Sequence, residues 1–166
     1  MNYRRSQAKG ATFFFTVVTD RRKEVFSSIG NIALIKQTFS HVNEKYPFQT
    51  EAFVILPDHI HCIWTLPEDT NDFSTRWRLV KSYFTKECRT KEKIWQNRFW
   101  EHQIRDDGDF TRHIEYIHYN PVKHGYVVSP NEWEHSSFHY FVERGIYQPD
   151  WGAKVEFDFD IMVGSE

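Results

Sequence analysis

The stretch of sequence that decides the fold spans residues 56–64 and reads Leu56-Pro57-Asp58-His59-Ile60-His61-Cys62-Ile63-Trp64. The apolar runs 50–56 and 59–66 predict two strands, and the tight connection between them predicts that they pair as a hairpin. Side chains alternate faces along a strand, so we expect His59 and His61 on one face and Ile60 in the core on the other. Two imidazoles side by side on one strand are half of a metal site.

The elements around this hairpin alternate between strands and helices. Residues 12–19 and 98–104 are predicted strands, and residues 29–46, 73–88 and 110–123 are predicted helices. The resulting order β-α-β-β-α-β-α predicts an α+β fold, in which a ferredoxin-like antiparallel sheet of four to five strands is covered by helices. Beyond Gly125 the periodicity weakens. We therefore expect residues 1–125 to form the functional domain and residues 126–166 to be an irregular, aromatic and acidic C-terminal tail packed on it.

Composition and charge permit a nucleic-acid partner without showing one. The net charge is -2, but it is unevenly placed: residues 126–166 carry two basic and eight acidic side chains, whereas residues 1–125 carry 19 basic and 15 acidic ones. The two cysteines have no framework spacing, which is typical of neither a disulfide scaffold nor a zinc knuckle. No apolar run has the length of a membrane span, and the first residues lack the apolar region of a secretory signal. We expect a cytoplasmic protein.

The predicted helix 110–123 carries the second half of the site. Its core face is formed by four apolar residues at spacings of 4, 3 and 4, namely Phe110, Ile114, Ile117 and Pro121. At about 100° per residue, His113, Tyr116 and Asn120 form a stripe on one flank of that face. Tyr116 and Asn120 are i and i+4, so a phenol and an amide can approach one point. Tyr119 lies roughly 100° from Asn120 and is the poorer partner.

The residues alone leave alternatives open. His102 beside Glu101, and His113, are alternative metal ligands that spacing does not exclude. The proline after Asn120 disfavours helical backbone at the asparagine, so Asn120 can lie at a frayed helix end. A small-molecule metal hydrolase built on the two strand histidines would need a further acidic ligand, for which the sequence offers only Glu101 or Asp58.

Five motifs together carry a family resemblance. They are Asn2-Tyr3-Arg4-Arg5, residues 54–67, Arg76-Trp77, Trp95-Gln96-Asn97-Arg98-Phe99-Trp100-Glu101-His102, and Tyr116-Ile117-His118-Tyr119-Asn120-Pro121-Val122-Lys123-His124-Gly125. On these motifs the chain resembles the REP-associated tyrosine transposases, a branch of the single-tyrosine HUH endonucleases, from about residue 2 to Gly152. The combination of motifs is highly specific.

The resemblance implies a metal-dependent endonuclease and strand transferase whose catalytic domain is residues 1–125. By similarity, His59, His61 and Asn120 bind a divalent metal, Mg²⁺ or Mn²⁺. Tyr116 is the expected nucleophile and forms a 5′-phosphotyrosine intermediate, and His113, one turn earlier, is a candidate base. The implied substrate is single-stranded DNA folded into the hairpins of repetitive palindromic elements. We expect a nucleoid-associated monomer.

Eight residues are predicted to bind DNA: Tyr3, Arg4, Arg5, Arg76, Trp77, Arg78, Lys81 and Arg98. Arginines suit phosphates and aromatic faces suit unpaired bases, the combination that single-strand-binding proteins use. The competing prediction is a hairpin-DNA-binding regulatory protein that keeps the fold but has weak catalysis. The acidic tail suggests a further hypothesis, that it docks over the basic part of the chain as an autoinhibitor.

Overall fold

The computed structural model describes residues 9–159 and 161, so Tyr3, Arg4 and Arg5 lie outside the described residues. The strands are β1 (Thr12–Val18), β2 (Gln49–Leu56), β3 (His59–Thr65) and β4 (Trp100–Gln103), and the helices are α1 (Ile29–Lys45), α2 (Phe73–Cys88), α3 (Asp107–Lys123) and α4 (Phe138–Glu143). The first seven elements follow the predicted order β-α-β-β-α-β-α.

The four strands form one antiparallel sheet in the order β2-β3-β1-β4. The predicted hairpin is present, with Leu56 of β2 opposite His59 of β3. On its other side β3 pairs with β1, which places Val18 opposite His59 and Thr16 opposite His61. The α+β prediction is confirmed, and the histidine pair lies on a central strand that is held by backbone hydrogen bonds on both sides.

Helices α1 and α2 cover one face of the sheet. Each has a side-chain cap at its start: Ser28 Oγ accepts from the Asn31 amide at 3.2 Å, and Asp72 Oδ1 accepts from the Thr75 amide at 2.9 Å. The core beneath them is rich in aromatic rings, and Trp77 of α2 stacks on another indole at 4.4 Å. This layer of helices packs on the face of the sheet opposite to the one that carries His59 and His61.

Helix α3 covers the opposite face, and its start differs from the sequence prediction. It begins at Asp107 because Asp106 caps it, accepting from the Asp109 amide at 2.7 Å. It continues through Pro121 to Lys123, which is the predicted end. Hydrogen bonds beyond the proline close the end of the helix, since the amides of His124 and Tyr126 donate at 3.0 Å to the carbonyls of Asn120 and Pro121. Asn120 therefore lies in helical backbone and not at a frayed end.

The C-terminal extension is more regular than the sequence predicted. It contains a 3-10 turn, Pro130–Glu132, and the six-residue helix α4, which is too short to show a helical period in the sequence. Its contacts run along the edge strand β2: the Ser137 amide donates to the Phe53 carbonyl at 3.0 Å, and Trp133 Nε1 donates to the Ile55 carbonyl at 3.1 Å. The extension thus covers a sheet edge that would otherwise be open. Among the residues described, no helix has the length and apolarity needed to cross a membrane.

Candidate active site

The two histidines of β3 lie on the sheet face that α3 covers. His59 is 1% exposed and His61 is fully buried, and their ring centroids are 4.9 Å apart at an interplanar angle of 82°. Ile60 points to the opposite face and belongs to the core beneath α1 and α2. The alternation predicted from the sequence is confirmed, because the strand is regular through this stretch.

Each imidazole is held through its Nδ1 atom. His59 Nδ1 donates to Asp58 Oδ1 at 2.6 Å, and His61 Nδ1 lies 2.9 Å from Thr16 Oγ1. The hydrogen bond from His59 is the main cause that lowers the pKa of Asp58 to about 2. Fixing Nδ1 leaves Nε2 as the nitrogen that can bind a metal, the arrangement usual at metal sites. Within the described part of the chain, the buried Nε2 of His59 has no hydrogen-bond partner, which fits a metal ligand.

Tyr116 and Asn120 of α3 face this histidine pair. The Tyr116 ring lies 5.4 Å from the His61 ring, centroid to centroid, at 72°. Asn120 is fully buried one turn further on and makes a side-chain hydrogen bond to Tyr116. Burial raises the pKa of the Tyr116 phenol, and the bond from Asn120 opposes that shift. The structure therefore brings the four residues predicted as metal ligands and nucleophile to one place in a single chain.

Two residues at the end of α3 complete the site, and sequence reasoning assigned them no role. Lys123 Nζ donates to Tyr116 Oη at 3.1 Å and lies 5.1 Å from the centre of its ring. The His124 ring is 5.1 Å from the His59 ring. Burial lowers the pKa of Lys123, and it lowers the pKa of His124 to about 4. Lys123 is seven residues after Tyr116, which is two helical turns, so the helical spacing contained the signal that could have found it.

The last part of the C-terminal tail that the structure describes covers Tyr116. The Phe159 ring packs edge-on against Tyr116 at 5.4 Å, and the Phe157 ring packs against Tyr119 at 5.0 Å. The Tyr119 hydroxyl donates to the Val155 carbonyl at 2.9 Å, which fixes the course of the tail. Tyr116 is consequently only 2% exposed.

His113 belongs to a second polar cluster in the first turns of α3. Its Nδ1 donates to the Asp109 carbonyl at 2.8 Å, and its ring stacks on His102 of β4 at 4.6 Å and 14°. His102 Nε2 donates to Asp109 Oδ2 at 2.8 Å. The three ligand atoms lie within 4.8 Å of one another and are compatible with a divalent metal, although Arg105 and Arg112 also approach the Asp109 carboxylate at 3.7 and 3.5 Å. Because His113 is hydrogen-bonded to Asp109, the structure gives no support to the predicted role of His113 as the base for Tyr116.

Two of the residues predicted to bind DNA are interior residues. Trp77 has no exposed surface, because its ring is stacked in the core. Arg76 is 5% exposed and uses its guanidinium to donate to the carbonyls of Pro47 and Asp72, at 2.9 and 2.8 Å. The expectation that these two side chains present a phosphate-binding charge and a stacking face is corrected by their burial.

The other predicted DNA-binding residues within the described part of the chain lie at or near the surface. Arg78 and Arg98 are exposed, and Lys81 is partly buried, with its ammonium donating to the Gln96 carbonyl at 3.0 Å. Their part in DNA binding stays a prediction.

Comparison with known proteins assigns the chain to a family. No protein-family model matches it. It is 46% identical over 154 residues to the REP-associated tyrosine transposase of Escherichia coli, covering 92% of each chain. It is also 46% identical to a putative REP-associated tyrosine transposase of Haemophilus influenzae, covering 92% of this chain and 93% of the relative. A solved structure of a REP-associated tyrosine transposase bound to a REP hairpin superposes with a TM-score of 0.86 at 44% identity, covering 99% of both chains.

The fold and these relatives define a tyrosine transposase, an enzyme of the DNA-nicking and strand-transfer class. Within that class, the chain belongs to the family of REP-associated tyrosine transposases.

Proposed function

We propose that this protein cleaves and transfers single DNA strands at the hairpins of repetitive palindromic elements, using Tyr116 as the nucleophile. The observation that carries the proposal is the Tyr116 ring lying 5.4 Å from the ring of His61. A buried phenol beside two buried imidazoles on rigid elements is an arrangement for positioning a phosphate against a tyrosine oxygen. The solved relative is bound to a REP hairpin, which supports the choice of substrate.

The proposed metal site consists of His59, His61 and Asn120. Two imidazole nitrogens and an amide oxygen accept either Mg²⁺ or Mn²⁺, and nitrogen ligands favour Mn²⁺. A metal bound there would polarise a non-bridging oxygen of the scissile phosphate. The contacts of Asp58 and Thr16 with the Nδ1 atoms keep both rings in place for that role.

In the proposed reaction, Tyr116 Oη bonds to phosphorus while the bond from phosphorus to the 3′ oxygen breaks. The products are a 5′-phosphotyrosine and a 3′-hydroxyl: the phenol releases its proton as the ester forms, and the departing 3′ oxygen takes one up, so no net proton is gained or lost. Lys123 donates a hydrogen bond to the attacking oxygen, and its ammonium would lie beside a phosphate bound there. Because the phosphoester bond is conserved in the tyrosine adduct, a second 3′-hydroxyl can reverse the step and join a new strand without ATP.

We further propose that the protein works as a monomer. The nucleophile on α3 contacts the histidine of β3 from the same chain, so one chain contains every residue assigned to the reaction. Residues 1–125 would form the catalytic domain, with the extension beyond them packed on β2.

The test is the covalent adduct itself. A 3′-labelled hairpin is incubated with the protein and Mn²⁺, because the fragment on the 3′ side of the cut is the one joined to Tyr116, and a labelled band that migrates with the protein is sought on a denaturing gel. We expect the adduct from the native protein and from Tyr119→Phe, and none from Tyr116→Phe, which should still bind the hairpin. An adduct formed by Tyr116→Phe would disprove the assignment. Hairpin binding with no adduct from any form would favour the regulatory DNA-binding protein.

A further inference from the structure

An aromatic ring just beyond helix α3 is exposed to solvent beside the candidate active site. Tyr126 is 44% exposed, and the proposed reaction does not use it. Its ring centroid lies 6.3 Å from that of His124, and the His124 ring lies 5.1 Å from that of His59. The exposed ring is therefore two ring-to-ring steps from a proposed metal ligand.

The backbone of Tyr126 is fixed by the end of helix α3. The Tyr126 amide donates to the Pro121 carbonyl at 3.0 Å, and the Gly125 amide donates to the Val122 carbonyl at 2.9 Å. With Gly125 at a φ of 76°, these are the two hydrogen bonds of a Schellman motif, in which glycine takes the left-handed position without strain. The helix that carries the proposed nucleophile thus also sets the position of Tyr126.

A second aromatic residue supports the ring of Tyr126. The two rings, those of Tyr126 and Trp133, lie 5.5 Å apart with 34° between their planes. Trp133 is itself held in place, because its Nε1 donates to the Ile55 carbonyl of β2 at 3.1 Å. Since its backbone and its ring are both supported, Tyr126 loses little conformational freedom when a planar ligand packs on its exposed surface.

The charges around the Tyr126 hydroxyl favour an uncharged ligand group over a phosphate. Partial burial raises the pKa of this phenol, the carboxylates of Asp58 and Glu24 add to the rise, and Arg22 opposes it. Two carboxylates beside one guanidinium disfavour a further anion at this position. An aromatic ring stacks on any nucleobase, because every base has a π-face. The exposed ring therefore fits the base of an unpaired nucleotide.

We infer that Tyr126 stacks on the base of an unpaired nucleotide that flanks the scissile phosphate, and so fixes the strand against Tyr116. The inference rests on the proposed function for its single-stranded DNA substrate. Because the ring lies so near His59, the base it holds belongs to a nucleotide next to the phosphate at the proposed metal site. Stacking of this kind tolerates any base, so Tyr126 positions the strand without reading its sequence.

The experiment measures the affinity for a fluorescent DNA stem-loop whose unpaired flank contains the cleavage position. All proteins carry Tyr116→Phe, so the strand stays intact during the measurement. Tyr126→Ala should bind this DNA about 5- to 150-fold more weakly, which is the effect of losing one stacked base. Tyr126→Phe should keep the parent affinity, because the stacking ring remains. Tyr140→Ala is the matched control and should also keep it, since Tyr140 is a 50% exposed tyrosine of α4.

A second series of DNAs assigns the loss to one base. Each flank nucleotide is replaced in turn by an abasic one, and the Tyr126→Ala and parent proteins are compared on each DNA. At one position next to the cut, the two proteins should bind equally, because the base that Tyr126 stacks on is already missing. Tyr126→Leu, which keeps an apolar contact with Trp133 but has no ring, should behave as Tyr126→Ala does, and thermal unfolding of each variant shows that the fold is intact.

Equal binding of Tyr126→Ala and the parent to the intact flank would overturn the inference. A loss that persists at every abasic position would overturn it too, and so would a responsive position away from the cut. The covalent adduct of the native protein is scored separately, and the binding measurement needs no cleavage, so a failure of the proposed function and a failure of the stacking role are distinguishable.

Discussion

The carboxylate of Asp58 should control metal affinity through His59. His59 Nδ1 donates to this carboxylate at 2.6 Å, and the pair is largely buried, with side-chain exposures of 1% for His59 and 16% for Asp58. A carboxylate at this position fixes the ring and increases the basicity of the opposite nitrogen. Loss of such a partner typically lowers metal affinity 10- to 100-fold, which is about 1.4 to 2.7 kcal/mol.

We expect Asp58→Asn to lower metal affinity about tenfold and Asp58→Ala to lower it about 100-fold. Asparagine can still accept a hydrogen bond from Nδ1, but it lacks the charge, whereas alanine leaves the buried nitrogen unpaired. Asp58 also forms an ion pair with Arg22 at 3.2 Å, so Arg22→Gln measures how much this ion pair contributes to the change in metal affinity. Asp72→Asn is the matched control, because asparagine serves equally well as the cap of α2.

The assay is a Mn²⁺ titration followed both by calorimetry on the free protein and by the rate of adduct formation. In Asp58→Asn, the Mn²⁺ concentration for half-maximal rate should rise about tenfold, and saturating Mn²⁺ should restore a rate close to that of the native protein. Unchanged Mn²⁺ affinity would refute the reasoning. A lower rate at saturation with unchanged affinity would also refute it, since Asp58 would then act on the reaction and not on the metal.

Three further outcomes are expected. Lys123→Gln should slow adduct formation about 100-fold at saturating Mn²⁺ with little change in hairpin affinity, because one charged donor to the Tyr116 oxygen is lost; equal rates would remove Lys123 from the reaction. Truncation after Gly152 deletes Phe159 and should increase hairpin binding and the adduct rate, and the absence of any gain would exclude autoinhibition by the tail. His118 is buried and its pKa is lowered to about 3 by burial, so the unfolded chain binds a proton near pH 6.5 that the folded chain does not. The free energy of unfolding should therefore be independent of this group above pH 6.5 and fall by about 1.4 kcal/mol per pH unit between pH 6 and 4 relative to His118→Gln, as urea denaturation at several pH values can show.

Local periodicity predicted most of the fold. The hairpin around His59 and His61, the helix that carries Tyr116, and the order of strands and helices all depend on short-range patterns, and the structure has them. The frayed helix end that Pro121 left open as an alternative at Asn120 is not present. The preference of a residue before proline is weak, and burial of Asn120 and Pro121 together with hydrogen bonds to the last carbonyls outweighs it.

What the sequence could not predict depends on contacts between distant parts of the chain. An indole such as that of Trp77 can stack on an unpaired base, but only the packed core shows that this ring has no exposed face. The contact of Phe159 with Tyr116 joins residues far apart in the sequence, and no spacing rule predicts it. Arg78 of α2 and Lys93 of the segment before β4 line one groove, which the sequence of either element does not show.

If Tyr116 is the nucleophile, its placement beside His61 of the same chain determines how many cuts one molecule can make at a time. With one such nucleophile in each polypeptide, one molecule would hold one severed strand end at a time. Removing a DNA segment, which takes a cut at each border, then requires either two molecules acting together or one molecule acting twice. The first route gives a rate that rises with the square of protein concentration, and the second gives a rate that is linear in it.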